Sequence, residues 1–237
     1  MTARAPRIVR VEPFGRGSIK ARIHLDEGEA FEVMLEALER SRIGAGDLLT
    51  PERRRALLEA DADVRVRESA LSLISFRSRT RTELERKLRA KGFEAARIDA
   101  CLDRLAESGL IDDAAVSAAF VRDRLRHRPR GRSRLRSELR AKGVTSDVAD
   151  GVVEEVFEEE GVTDVELAAE VAEGWVSRQS ADLVAALALD SWTDERQRAQ
   201  RRLRGYLGRR GFGGEALRAG VARAEALSRA ARETPRP

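Results

Sequence analysis

The sequence predicts a mainly α-helical chain: three tandem three-helix repeats, helix-turn-helix-like and elongated, preceded by a small N-terminal β-hairpin element. Three observations carry this expectation. Only ten of the 237 residues are aromatic while 36% are charged, so the core must consist of thin layers of Leu, Val and Ala, a composition that favours helices. A twelve-residue pattern recurs three times, as TELERKLRAKGF (82–93), SRLRSELRAKGV (133–144) and RRLRGYLGRRGF (201–212). Period-two alternation is confined to the first 33 residues.

From Arg7 to Val33, Ile8 and Val9 open an alternating run in which Ile19, Ala21, Ile23 and Leu25 share a face. The turn DEGE (26–29) then leads into AFEV, so a hairpin or three-stranded sheet is expected, too small to be stable alone. Met34 to Glu39 reads as a short helix and SRIGAGDLL as a loop. Thr50-Pro51 reads as a helix start, with the hydroxyl as N-cap and Pro at the first helical position.

Beyond Ala60 every periodic segment is helical. In the recurring pattern the leucine pairs 84/88, 135/139 and 203/207 are i,i+4 neighbours on one helix face. Gly92, Gly143 and Gly211 follow as C-terminal stops, and Phe93, Val144 or Phe212 is the apolar residue that closes a Schellman-type cap. Lys91, Lys142 and Arg210 sit at the negative end of each helix dipole. Each unit has a helix before the pattern (Ala70, Leu73 and Ile74; Phe120, Val121 and Leu125; the segment from Val165) and one after it (Ile98, Leu102 and Leu105; Val153 and Val156; Leu217 and Val221). The glycines are 51 and then 68 residues apart, which places about 17 extra residues within RQSADLVAALALDSWTDERQR. The expected divisions are 1–60 for the β segment with short helices, then repeats at 61–112, 113–161 and 162–237, the last with the insertion and a short C-terminal tail.

Net charge is +4, and 41 of the 45 basic residues are Arg. Residues 122–142 hold ten basic side chains against Asp123 and Glu138, whereas Asp150 to Glu173 holds ten acidic residues and no Lys or Arg. The plain reading is two helix faces of opposite sign that partly neutralise each other; the sharper one is a basic face that meets phosphate. Pro129 and Gly131 break the arginine run, and apolar helical stripes flank it, so the basic residues coat a helix corner rather than a strand.

Catalytic signatures are absent. GRGSIK (15–20) lacks phosphate-loop spacing, His24 and His127 lie over a hundred residues apart, and Cys101, the single cysteine, reads as a small core residue. Asp112 or Asp113 suits a helix N-cap better than a catalytic pair, and Thr82 with Glu85 fits a capping box. Phe76, Phe93, Phe120 and Phe212 fall on apolar stripes or caps and read as core, so nucleic-acid contact should be phosphate-directed. No enzyme activity, cofactor, metal or membrane contact is expected. The compartment expected is the cytoplasm, since no signal-type apolar run opens the chain.

The segments ALSLISFRSRTRTELERKLRAKGF and LAESGLIDDAAVSAAFVRDRLRHRPRGRSRLRSELRAKGV resemble the RecX family of bacterial recombinase regulators. The resemblance rests on Leu71-x2-Ile-Ser-Phe-Arg-Ser-Arg-Thr80, Glu83-Leu84, Lys87-Leu88, Lys91-Gly92-Phe93, Leu110-Ile111-Asp112-Asp113, Gly131, Glu138-Leu139 and Lys142-Gly143-Val144. It covers residues 65–157 and extends less sharply to YLGRRGF in the third repeat.

The resemblance implies a monomer that lies in the groove of the RecA recombinase filament on single-stranded DNA. Such a protein modulates, and usually inhibits, the filament's ATPase, strand-exchange and coprotease activities in homologous recombination, DNA repair and the SOS response. The basic helix corners are then the expected contacts with recombinase or DNA. They comprise Arg77, Arg79, Arg81, Lys87 and Lys91 in the first repeat and Arg126, Arg128, Arg130, Arg132, Arg134, Arg136, Arg140 and Lys142 in the second. Arg209 and Arg210 supply the third. The acidic helix after Asp150 is expected to face basic recombinase loops. The rival readings are a helix-turn-helix DNA-binding protein and a helical-repeat adaptor; binding to bare duplex, bare single strands and recombinase-coated strands separates them. The fold itself predicts a far-ultraviolet circular dichroism spectrum dominated by helix, and a strand-dominated spectrum would rule out the repeats.

Overall fold

The computed structural model describes residues 4–15, 17, 19–191 and 193–233. Among them a three-stranded antiparallel sheet is followed by eleven helices, and the chain divides into two compact units between Ile111 and Asp112. The expected tail at 234–237 lies outside the described residues.

In the first unit, strands β1 (Ile8–Phe14), β2 (Lys20–Leu25) and β3 (Phe31–Met34) pair in sequence order. Alternation delivers Ile8, Ala21, Ile23 and Val33 to one face, where they are fully buried with Ala37 of helix α1 (Leu35–Ser41). Ile19, expected on that face, is exposed just ahead of β2, and Val9 is exposed where the β1–β2 register shifts between Ile8 and Arg10.

Helix α2 (Pro51–Phe76) begins as the sequence predicts: the Thr50 hydroxyl accepts from the Arg53 backbone N–H at 3.3 Å, and Pro51 takes a first-turn position that needs no N–H. It then runs unbroken through residues 60 and 61, about 39 Å in all at 1.5 Å per residue. Leu57 and Val64, seven residues apart, point into the core under the sheet; Val66, two residues past Val64 and so about 200° round the helix, points with Ala70 into the next core. One helix thus serves two cores from opposite faces. Near its middle the buried carboxylate of Asp61 accepts from the Met34 backbone N–H at 2.5 Å and from Arg65 Nε at 2.6 Å, tying the end of β3 to α2.

Helices α3 (Arg81–Ala90) and α4 (Ala95–Glu107) complete the first three-helix repeat around Leu84, Leu88, Ile98, Cys101 and Leu102. Burial raises the Cys101 thiol pKa, which fits a core role. The cap of α3 is Thr80, whose hydroxyl accepts from the Glu83 N–H at 3.2 Å, not the expected Thr82. Thr80–Glu83 and Thr82–Glu85 share the same local spacing, so packing of the leucine stripe, not sequence, sets the start. Phe76 is a second correction: expected in the core, it is 83% exposed at the last position of α2.

The second unit holds helices α5 (Asp113–His127), α6 (Arg132–Ala141) and α7 (Ser146–Glu159), then α8 (Asp164–Val176), α9 (Ala181–Leu187), α10 (Asp194–Arg209) and α11 (Gly214–Glu233). Asp112 Oδ1 accepts from the Ala115 N–H at 2.9 Å, the capping role expected of the Asp112-Asp113 pair. The short helix α9 lies within the expected insertion. One continuous core joins Val121, Leu135, Leu139, Val153 and Phe157 to Trp175, Leu203, Leu207 and Phe212.

All six paired leucines of the recurring pattern are fully buried. At each corner the apolar residue after the glycine donates its N–H five residues back, Phe93 to Leu88 O (3.4 Å), Val144 to Leu139 O (3.1 Å) and Phe212 to Leu207 O (3.2 Å). That is the Schellman closure. In the second unit the third of these corners lies against the turn between α5 and α6. Gly131 N–H donates to Arg210 O at 2.9 Å, and Arg210 Nη1 donates to Pro129 O at 3.1 Å.

Gly92 and Gly211 are both left-handed (φ +85° and +89°), but their surroundings differ. A Cβ on Gly92 meets nothing within 4 Å, whereas one on Gly211 would stand 2.5 Å from Arg134 Cβ and 2.6 Å from its backbone nitrogen. Gly92→Ala should therefore cost about 1–2 kcal/mol for the left-handed backbone alone. Gly211→Ala should cost a further ~1–3 kcal/mol for overpacking. Urea midpoints measure both, and equal losses would contradict the stacked corners.

Candidate binding surface

Of the expected basic corners, the first-repeat residues separate by burial. Arg79 is only 7% exposed and its Nε donates to Leu73 O at 3.1 Å, so it ties the loop after α2 to the end of that helix and offers nothing to a partner. Arg77 spans the nearly buried carboxylate of Glu83 with two contacts of 3.4 Å, and Arg81 Nη2 lies 2.7 Å from Asp103 Oδ1. Lys87 and Lys91 are exposed and form no ion pair with a described residue.

The second-repeat run divides more sharply. Arg132 Nε lies 3.1 Å from Glu154 Oε2 and its backbone N–H donates to Asp164 Oδ1 at 3.0 Å, while its guanidinium rests 4.1 Å over the Phe157 ring. Arg136 Nε lies 3.0 Å from Asp150 Oδ1, and its Nη2 pairs with Glu154. Arg130 and Arg134 share Glu138 with Arg124, Arg134 Nε at 2.8 Å and Arg124 Nε at 3.5 Å. Lys142 Nζ sits 5.1 Å over the Phe120 ring. Arg126, Arg128 and Arg140 are exposed and have no ion-pair partner among the described residues. In the third repeat Arg209 is likewise exposed, whereas Arg210 packs 4.7 Å over the Tyr206 ring.

The acidic stretch is largely the counter-charge of the basic run. Besides Asp150, Glu154 and Asp164, Glu159 and Glu160 pair with Arg122 and Glu173 pairs with Arg223. Those side chains are engaged within the chain rather than free for a partner. Around Arg130 the balance tips the other way. Burial, then the guanidiniums of Arg134, Arg124, Arg210 and Arg128, push its pKa below the ordinary value.

Sequence reasoning did not single out Arg124, Arg178 or Tyr206. Arg178 Nη2, just past α8, lies 3.4 Å from the Tyr206 hydroxyl of α10, a contact made only through packing of α8 against α10, and Tyr206 is stacked by Arg210 four residues on. Among the described residues no group of His, Cys, Asp and Glu could hold a metal ion, and no helix is long and apolar enough to cross a membrane.

Family models for the first and second RecX three-helix domains match residues 67–105 and 112–153, which contain the first two corners with their Leu pairs and capping glycines. Over these two segments the chain matches the RecX family. It is similar to the protein named Regulatory protein RecX of Clostridium botulinum (strain Eklund 17B / Type B), 28% identical over 120 residues, 51% of this chain and 57% of that protein. It is also similar to the protein of that name of Pseudomonas savastanoi pv. phaseolicola, 44% identical over 66 residues, 28% of this chain and 43% of that one. The matches thus span about half the length of these RecX relatives. Two solved RecX structures share the fold. One, titled regulatory protein RecX, superposes with a TM-score of 0.67 at 22% identity over 92% of this chain and 98% of that one. The other, RecX from Lactobacillus salivarius, superposes at 0.54 and 24% over 71% and 99%.

The basic run therefore has two parts, one holding the fold and one facing out. Reversing Arg132 and Arg136 to Glu together removes four contacts with Asp150, Glu154 and Asp164 and sets like charges against one another. At about 0.5 kcal/mol per pair, the loss should be ~2 kcal/mol or more. Reversing Arg126, Arg128 and Arg140 instead should leave stability within about 0.5 kcal/mol of the parent, as for surface sites without partners. Urea denaturation of the two variants checks the division.

Proposed function

We propose that this protein regulates the RecA recombinase by binding its filament on single-stranded DNA, and that the usual effect is inhibition of ATP turnover, strand exchange and coprotease activity. The match of residues 67–105 and 112–153 to RecX domains supports RecA as the partner. The observation that carries the mode of binding is the presence in all three repeats of exposed cations with no ion-pair partner among the described residues: Lys87 and Lys91, then Arg126, Arg128 and Arg140, then Arg209. Single cation contacts on an exposed surface are weak, and repeated ones on one chain gain by effective concentration what each lacks. On this reading the protein acts as a monomer in the cytoplasm, by occupancy rather than catalysis, with the repeat divisions at 61–112, 113–161 and 162–237 as its binding units.

A base-reading helix-turn-helix role is less well supported. The arginines of α6 that would have to reach base edges, Arg132 and Arg136, are held by the carboxylates of α7 and the start of α8. Sequence readout needs such side chains free to make bidentate contacts.

The test is RecA-dependent ATP hydrolysis and strand exchange on single-stranded DNA. The parent protein should lower both, and the Arg126/Arg128/Arg140→Glu variant should need at least about tenfold more protein for the same effect, a loss of ~1.4 kcal/mol. Equal potency of parent and variant would show that the exposed corner cations are not the contact, and no effect of the parent would remove RecA as the target.

A further inference from the structure

The stacked corners of the second unit leave a cavity of about 210 Å³ between the α5–α6 turn, α8 and α10. It is lined by His127, Arg128, Arg178, Arg210, Tyr206 and Glu170. We propose that this cavity is a phosphate-binding site, and that its natural occupant is one phosphodiester of a single DNA strand. The proposal deepens the reading above, on which it rests for the source of that phosphate.

Charge is the first argument. Three guanidiniums and an imidazole face one carboxylate, Glu170, which forms no ion pair with a described residue. Just beyond the wall, Arg124, Arg130 and Arg134 share the carboxylate of Glu138, and Asp123, which pairs with Arg124 at 2.9 Å and lies 4.0 Å from His127 Nε2, is the other carboxylate there, so three guanidiniums meet two carboxylates. Positive charge here is undercompensated, unlike at Arg132 and Arg136.

Preorganisation is the second. Arg210 is anchored by its bond to Pro129 O, and Arg178 is folded back so that its Nη1 would lie 3.4 Å from a Cβ on Gly174. Arg178 spends one long contact, 3.4 Å, on the Tyr206 hydroxyl, and Arg128 spends none on a described side chain. Guanidinium donors held in place and not consumed suit the planar, bidentate recognition of phosphate oxygens.

Size decides between a phosphate and a whole nucleotide. Pockets for drug-sized ligands run to about 300–1,000 Å³, so this one is small for a nucleoside. The Tyr206 ring already carries Arg210 at 4.7 Å and has Trp175 at 6.2 Å between centroids, so it is not an open platform for a base. The site takes the charged group and leaves the base outside.

The test uses the full chain and a variant with Arg128→Ala and Arg178→Ala, both exposed side chains whose removal should leave the urea midpoint unchanged. Binding of fluorescein-labelled (dT)12 is followed by anisotropy across a chloride series. Each phosphate contact to a single strand adds roughly 0.7 to the slope of log affinity against log salt. The variant should lose about that much slope and bind more weakly at low salt. Inorganic phosphate, added against chloride at matched ionic strength, separates the sources. Competition by it with the parent assigns a site that also takes free phosphate; no competition, with the slope change present, assigns one that needs the strand. An unchanged slope and affinity in a folded variant would overturn the proposal, and so would loss of filament binding without any change on bare strand, since the occupant would then be a protein carboxylate. RecA ATP hydrolysis measured in parallel keeps the two readings apart: a slope change with no effect on RecA by the parent retains the phosphate site and discards the recombinase.

Discussion

Burial of two leucines four residues apart, closed by a glycine in the left-handed region, is the interaction on which the rest of this structure depends. Each leucine pair fills a thin core layer that has few aromatics to help it, and each glycine turns the chain so that the next apolar residue caps the helix it has just left. A helix of ten residues is marginal by itself. It persists because its one apolar stripe is fully covered and its last carbonyls are satisfied by the turn. The same geometry turns most charged residues of the pattern, Glu83 excepted, to the outer side of the corner, so the surface chemistry follows from the packing rule.

Placing so many arginines outside creates a problem that the second unit solves with α7. Its carboxylates at Asp150 and Glu154, with Asp164 at the start of α8, face the arginines that α6 turns toward them. Half-buried pairs of this kind hold two helices in register even though each is individually modest. The arginines on the remaining faces have no such counterpart. Opposite-sign runs in a sequence therefore do not choose between a neutralised pair of faces and an open one; here the same run holds both ion-paired arginines and exposed ones without an ion-pair partner among the described residues, and the phase of each arginine decides which.

Much of this was legible because the signals were local and repeated. The Leu-x3-Leu-x2-basic-Gly pattern, Thr50-Pro51 and the Asp112 cap each act through a few neighbouring residues, so the sequence contains their partners. What was not legible depends on distant groups. Arg79 looked like its exposed neighbours but is spent on a carbonyl six residues back, and Phe76 looked apolar enough for the core yet falls at the end of α2, past the last turn that anything covers. Thr80 and Thr82 offer the same capping spacing, and only tertiary packing separates them. The continuity of α2 was hidden because its two apolar stripes lie on opposite faces and blur the single period that marks an ordinary surface helix.

Arg210 shows why the least legible part of the molecule is also its most consequential. As the residue before a capping glycine it complements the dipole of α10, which the sequence alone accounts for. The stack of the two turns gives it further duties: its carbonyl accepts from Gly131, its guanidinium holds Pro129 O, and the same guanidinium covers Tyr206. That stack requires Gly211 to have no side chain and brings Arg128 of one repeat beside Arg178 and Arg210 of another. Like charges so gathered repel, burial and then those charges lower the proton affinity of Arg130, and Glu138 and Asp123 offset them only in part. A fold that holds guanidiniums together without neutralising them is poised to gain more from an incoming anion than from any internal rearrangement, because packing already fixes the positions the cations would need to leave.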